Sequence, residues 1–114
     1  ERSMFKIEKK KNIKWPVVIN IPRDGGGTTQ ARITAEFELI GTDEYNAIFT
    51  DGGNDKDLIR RTLKNWDDVK DEDGNPLEFS SENVEMLIDI SHVRSGLTAA
   101  YIDMAFGKKA AAKN

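Results

Sequence analysis

Acid–base or nucleophilic chemistry needs a base held beside a nucleophile, and this sequence offers one histidine, His92, and no cysteine. His92 stands between Ser91 and Val93 at the expected start of a helix, where polar side chains satisfy free backbone N–H groups. With no thiol and no second imidazole, it reads as structural rather than as half of a catalytic pair. Zinc takes three or four His, Cys or carboxylate ligands at recognisable spacing, and the chain does not supply them. The acidic turn Asp71-Glu72-Asp73-Gly74 invites a calcium test. With Gly74 at loop position 6, Asp71 and Asp73 fall on positions 3 and 5, but positions 1 and 12 fall on Val69 and Ser80. The two strongest ligands are missing, so this is a solvated turn. Gly25-Gly26-Gly27 is followed by Thr28-Thr29-Gln30 and a strand pattern, not by the Gly-Lys-Ser/Thr and helix of a phosphate cradle. Lys9-Lys10-Lys11, with Phe5 and Trp15 nearby, has the composition of a weak nucleic-acid patch, yet both aromatics also fit the apolar face of strands. The residues therefore point to no enzyme, no metal site and no cofactor.

The 114 residues suit one domain, expected over 1–107, with 108–114 as a disordered Lys/Ala tail. Hydrophobic residues are 38% and charged residues 32%, which predicts a thin core under a heavily solvated surface. The lack of cysteine argues against an oxidising compartment. No apolar run approaches the roughly 18 residues of a membrane span, and no secretory leader is legible. The net charge of −3 conceals a basic beginning (Arg2, Lys6, Lys9, Lys10, Lys11, Lys14) and an acidic middle containing Asp67, Asp68, Asp71, Glu72 and Asp73. Such an arm contacts nucleic acid or keeps a strand edge soluble, and an acidic body repels phosphate beyond the arm.

The elements that must position these residues divide into a β half and a helical half. Phe5, Ile7 and Lys9 alternate as a short strand. Trp15, Val17, Ile19 and Ile21 share the face of a second, whose start Pro16 places at an edge or bulge. Pro22 to Gly27 is turn chemistry. Ala31, Ile33, Ala35, Phe37 and Leu39 form the apolar face of a third strand, completing an antiparallel meander with one wet face. Thr42 is expected to cap a short helix through Phe49. Asp55 opens a second helix in which Leu58, Ile59, Leu63 and Trp66 follow helical spacing. Asp73-Gly74 reverses the chain, Ser80 or Ser81 caps a third helix with Val84, Leu87 and Ile88, and a fourth runs over about 93–106 until Gly107 stops it. The fold class is thus α+β, an N-terminal antiparallel β-meander with about four helices packed on it.

The run Leu58-Ile59-Arg60-Arg61-Thr62-Leu63-Lys64-Asn65-Trp66, followed by Asp73-Gly74-Asn75-Pro76-Leu77 and Ser80, resembles the tail assembly chaperones of long-tailed bacteriophages (siphophages). Their pattern is a helix ending in tryptophan, a short hydrophobic step, an acidic Asp-Gly turn, and Pro-Leu before a serine-capped helix. Where many relatives carry glycine ahead of the valine, this chain has Asp68. The front hairpin with its Ala-Glu-Phe strand, and the last helix with Ala99-Ala100-Tyr101, extend the likeness over nearly the whole chain. The resemblance implies a non-enzymatic protein of the host cytoplasm that keeps the tape-measure protein soluble and helps recruit the major tail-tube protein, without entering the mature virion. It also implies a longer, frameshifted form, for which Gly107-Lys108-Lys109 is the candidate slippery region. A groove for a helical client is expected on the last helix, at Leu97, Tyr101, Met104 and Phe106, with core packing claiming most of them and Met104 and Phe106 the more exposed. Coating a long partner is compatible with a homo-oligomer. The rival readings are a structural tail-completion or head–tail joining protein, and a small nucleic-acid-binding domain using the basic arm.

Overall fold

The structure is a computed structural model that describes residues 4–7 and 12–110. Strand β1 (Asn12–Pro22) and strand β2 (Thr28–Glu38) form an antiparallel hairpin whose register runs from Asn12↔Glu38 to Pro22↔Thr28. Alternation sends Val17 and Ile19 of β1, and Ile33, Ala35 and Phe37 of β2, into the core. The reversal uses Gly25 and Gly26 at φ 89° and 95°, where side chains are disfavoured. β1 begins four residues before Pro16, earlier than the proline suggests, and is an edge strand of the order β1-β2-β3, so the missing proline N–H costs no interior ladder bond. Leu39, expected to continue the buried face, is exposed; the strand ends at Glu38 and Ile40 turns inward instead.

The third strand is not the one expected at residues 5–9. Residues 4–7 have no regular structure and expose their side chains, and Lys9 lies outside the described residues. Instead β3 (Leu63–Asp67) joins β2 after two helices have intervened, with a bulge opposite Glu36/Phe37. Phe37 pairs with Leu63 and Glu36 with Asn65, so Lys64 is the extra residue. The bulge places Leu63 and Trp66, three positions apart, on the same buried face. That spacing imitates a helix, which is why Leu58 to Trp66 reads as one helical run when it is a helix followed by a strand.

The four helices pack on the sheet, as expected for the α+β class. Helix α1 (Thr42–Thr50) starts from Gly41, with Thr42 inside the helix and no side-chain cap, contrary to the expected threonine cap. Helix α2 (Asp55–Thr62) has a capping box: Asn54 Oδ1 accepts from the Lys56 N–H, and the Asn54 N–H donates to Asp57 Oδ2, each at 3.0 Å. Ser80 Oγ caps α3 (Ser81–Ile88) by accepting from the Asn83 N–H at 3.1 Å. Helix α4 (Ser91–Ala105) ends where Gly107, at φ 72°, lets its own N–H reach the Met104 carbonyl and the Lys108 N–H reach the Asp103 carbonyl. Residues 108–110 carry no regular structure, and the rest of the expected tail lies outside the described residues.

Between β3 and α3 the chain makes a small hairpin. Asp71 Oδ1 accepts from the N–H groups of Asp73 and Asn75, both at 2.9 Å, and Gly74 supplies φ 83°. Trp66 closes it against the body: its Nε1–H donates to the Leu77 carbonyl at 2.8 Å, and its ring meets Phe79 edge-on at 4.9 Å. Asp68, ahead of Val69, takes φ 69°, the left-handed region that favours glycine. Val17, Phe37, Leu58, Ile59, Ile88, Leu97 and Tyr101 lie in one buried cluster between sheet and helices.

Candidate functional site

An apolar groove opens where the end of α4 meets α1 and the loop after β2. Its floor is Tyr101, fully buried, whose ring stands edge-on to Phe37 at 5.6 Å and stacks with Tyr45 of α1 at 6.3 Å. The Tyr101 hydroxyl accepts a hydrogen bond from the Ile40 N–H at 3.2 Å, tying the β2–α1 loop to α4. Burial pushes this hydroxyl above the ordinary tyrosine value, so it stays protonated and uncharged. Tyr45 also contacts Phe106 edge-on at 6.2 Å and Phe49 at 5.3 Å. Leu39, Thr42, Asn46 and Ala105 complete a cleft of about 230 Å³. That is smaller than the usual small-molecule pocket of roughly 300–1,000 Å³. It has room for one or two apolar side chains of a partner.

The groove's walls are unequally held. α4 is anchored by Val93, Leu97, Ala100, Tyr101 and Met104, whereas α1 buries no residue fully. Arg61 adds to the packing of Tyr45 and Ile48: its Nη2–H donates to Glu38 Oε2 at 3.1 Å and its Nε–H to Glu44, linking α2 to β2 and to α1. The hydrogen bond from Arg61 holds the Glu38 carboxyl below its ordinary value, and desolvation only partly opposes it. A helix with no fully buried residue, held by Tyr45 and Ile48 against the core and by the Arg61 ion pair, is the most lightly packed of the four, and partner-binding elements are drawn from that end of a fold.

Of the residues expected to bind a client, the groove brings together Tyr101 and Phe106. Phe106 is 65% exposed, as expected near the helix end. Met104, expected to be exposed with it, is 7% exposed; one position round the helix from Ala105, it faces the core. Leu97 is buried beneath α4 at 1% and reaches no surface. The pattern left out Leu39, Tyr45 and Phe49. Tyr45 and Phe49 are four apart on one face of α1, the available signal, but a helix this short gives weak periodicity.

The other residues with chemical promise lie elsewhere. His92 is half-buried in the first turn of α4, bordering a second apolar cleft with Ile21, Val69 and Leu87. Lys14 pairs loosely with Asp67 at 3.9 Å on the wet side of the sheet. Among the described residues no group of three or more His, Asp or Glu side chains is arranged to hold a metal ion, and no helix is long and apolar enough to cross a membrane. Compared with protein-family models, with curated proteins and with solved structures, the chain matches none.

Proposed function

We propose that this protein is a tail assembly chaperone of a long-tailed bacteriophage, acting in the host cytoplasm to hold apolar helical segments of the tape-measure protein and to aid recruitment of the major tail-tube protein. The observation that carries this reading is the aromatic groove lined by exposed Phe106, with Phe49 half-exposed beyond Tyr45, one wall of which is the least buried helix. An amphipathic client helix places apolar anchors at i, i+3 and i+4, and a shallow cleft sized for one or two side chains suits such anchors. An exposed phenylalanine beside an adaptable wall suits a client presenting many similar segments rather than one fixed epitope. The order of the sequence motifs, from the front hairpin through Trp66 and the Asp-Gly turn to the serine-capped helix, supports the same assignment.

The test is to tag the chain, express it in phage-producing cells and identify the proteins that co-purify. Recovery of a very long helical tail protein supports the reading; recovery of nucleic acid, or presence of the chain in purified virions, overturns it. Phe106→Ser should lower client solubility while costing the fold only about 0.5–1.5 kcal/mol, the worth of its one edge-on contact with Tyr45. Loss of folding in step with loss of binding would refute the groove.

A further inference from the structure

We infer that the groove has a second occupant, the N-terminal arm of another copy of this chain, so that the free protein is an arm-exchanged dimer. The inference shares its groove with the proposed function but needs no client. Met4, Phe5 and Ile7 are 82%, 90% and 76% exposed, an apolar cluster that a stable soluble surface rarely leaves bare. They do not lie on the groove of their own chain, where Phe106 and Leu39 remain exposed. One chain thus carries an apolar arm and an apolar groove that do not satisfy each other.

The register places the two features side by side. β1 starts at Asn12, opposite Glu38, and the next residue, Leu39, lines the groove. The arm's root and the groove therefore share one end of the sheet, and two copies meeting there about a two-fold axis can each lay an arm in the other's groove. Met4 stands eight residues from Asn12, a span of at most roughly 27 Å when extended. Charge agrees: Lys6 lies between Phe5 and Ile7, and Asp43 and Glu44 open α1 beside Thr42 of the groove. The cleft of about 230 Å³ has room for two of these side chains, and Phe5 and Ile7, two residues apart, fall on one side of an extended arm. Reciprocal exchange makes this contact twice in the dimer. Arm and client would then compete, and the dimer would keep the groove covered until a client arrives.

The chain has no cysteine, so any disulfide must come from introduced residues. Lys6→Cys and Asp43→Cys are made in separate full-length chains, mixed and mildly oxidised. The expected result is a heterodimer joining the two variants, in excess of like-with-like dimers. Placing both cysteines in one chain should then give a dimer-mass product. A monomer-mass crosslink would show the arm in its own groove and overturn the inference, as would absence of any crosslink above the single-variant controls. By sedimentation, the parent should be dimeric, and the variant carrying Met4→Ser, Phe5→Ser and Ile7→Ser should dissociate with a Kd about 100-fold weaker or more. These three side chains lie outside the core, so an unchanged melt separates lost association from lost folding. A monomeric parent, or an arm variant that stays dimeric, refutes the exchange. Either failure leaves client binding to be judged by co-purification.

Discussion

Replacing Gly96 by alanine would ordinarily strengthen a helix, since alanine is favoured over glycine in helix interiors by about 1 kcal/mol. Gly96 sits in the middle of α4, where that helix crosses β1. A Cβ there would stand 2.7 Å from the Val18 carbonyl oxygen, 3.3 Å from Ile19 Cγ1 and 3.5 Å from Val17 Cγ1. The closest atom is strand backbone and cannot rotate away, so α4 must lift by several tenths of an ångström along its contact with β1. Overpacking of this kind costs roughly 1–3 kcal/mol, and a rigid backbone partner places Gly96→Ala in the upper half of that range. Less the propensity gain, the net loss is about 1–2 kcal/mol. That corresponds to a fall in Tm of roughly 5–10 °C for a domain of this size. The assay is urea denaturation followed by circular dichroism, with Ser95→Ala as a control on the exposed side of the same helix. Ser95→Ala should be neutral or slightly stabilising. If Gly96→Ala matched it, or proved more stable than the parent, the close crossing of α4 over β1 would be wrong.

Three further outcomes follow from the same geometry. Asp68→Gly relieves a left-handed backbone that costs an L-residue about 1–2 kcal/mol, offset in part by glycine's greater chain entropy; a gain of about 0.5 kcal/mol in the chemical melt is expected, and a loss would show that the aspartate side chain holds the turn. Trp66→Phe keeps most of the ring but leaves the Leu77 carbonyl without its donor, and should cost about 1–2 kcal/mol with the turn between residues 70 and 76 losing amide-exchange protection. Glu38 and Glu85 are held below the ordinary carboxylate value of 4.5 chiefly by hydrogen bonds from Arg61 and Arg60, so their contribution is present above that pH and is lost as pH falls through the lowered folded values. Arg61→Gln should therefore flatten the acid limb of the stability curve and loosen α1 first, read by amide exchange at Tyr45 and Phe49; an unchanged acid limb would count against the Arg61 link.

Much of this protein was legible before any coordinates. Strict alternation from Val17 to Ile21 and from Ala31 to Phe37 dictated two half-buried strands, because the pleat offers no other way to hide every second side chain. Pro22 to Gly27 dictated their reversal, Asp73-Gly74 the later turn and Gly107 the end of α4, through backbone conformations few other residues accept, while Ser80 marks the start of α3 through its side-chain oxygen. The helical spacing of Val93, Leu97, Ala100 and Tyr101 marked the buried face of α4, to which the fold adds Met104, expected at the surface. Tertiary structure alone decided the rest. A one-residue bulge makes Leu63 and Trp66 face the same way, and nothing local distinguishes that from a turn of helix; pairing with Phe37 and Ala35 selects the strand. Helix periodicity sets Tyr101 and Phe106, five residues apart, on different sides of the axis; they meet at the groove only through Tyr45, which arrives on α1, and Leu39, which arrives on the loop after β2. Composition determined which side chains need burial, and only the assembled fold, where surfaces distant in sequence meet, decided which apolar ones are left uncovered at the groove and on the arm.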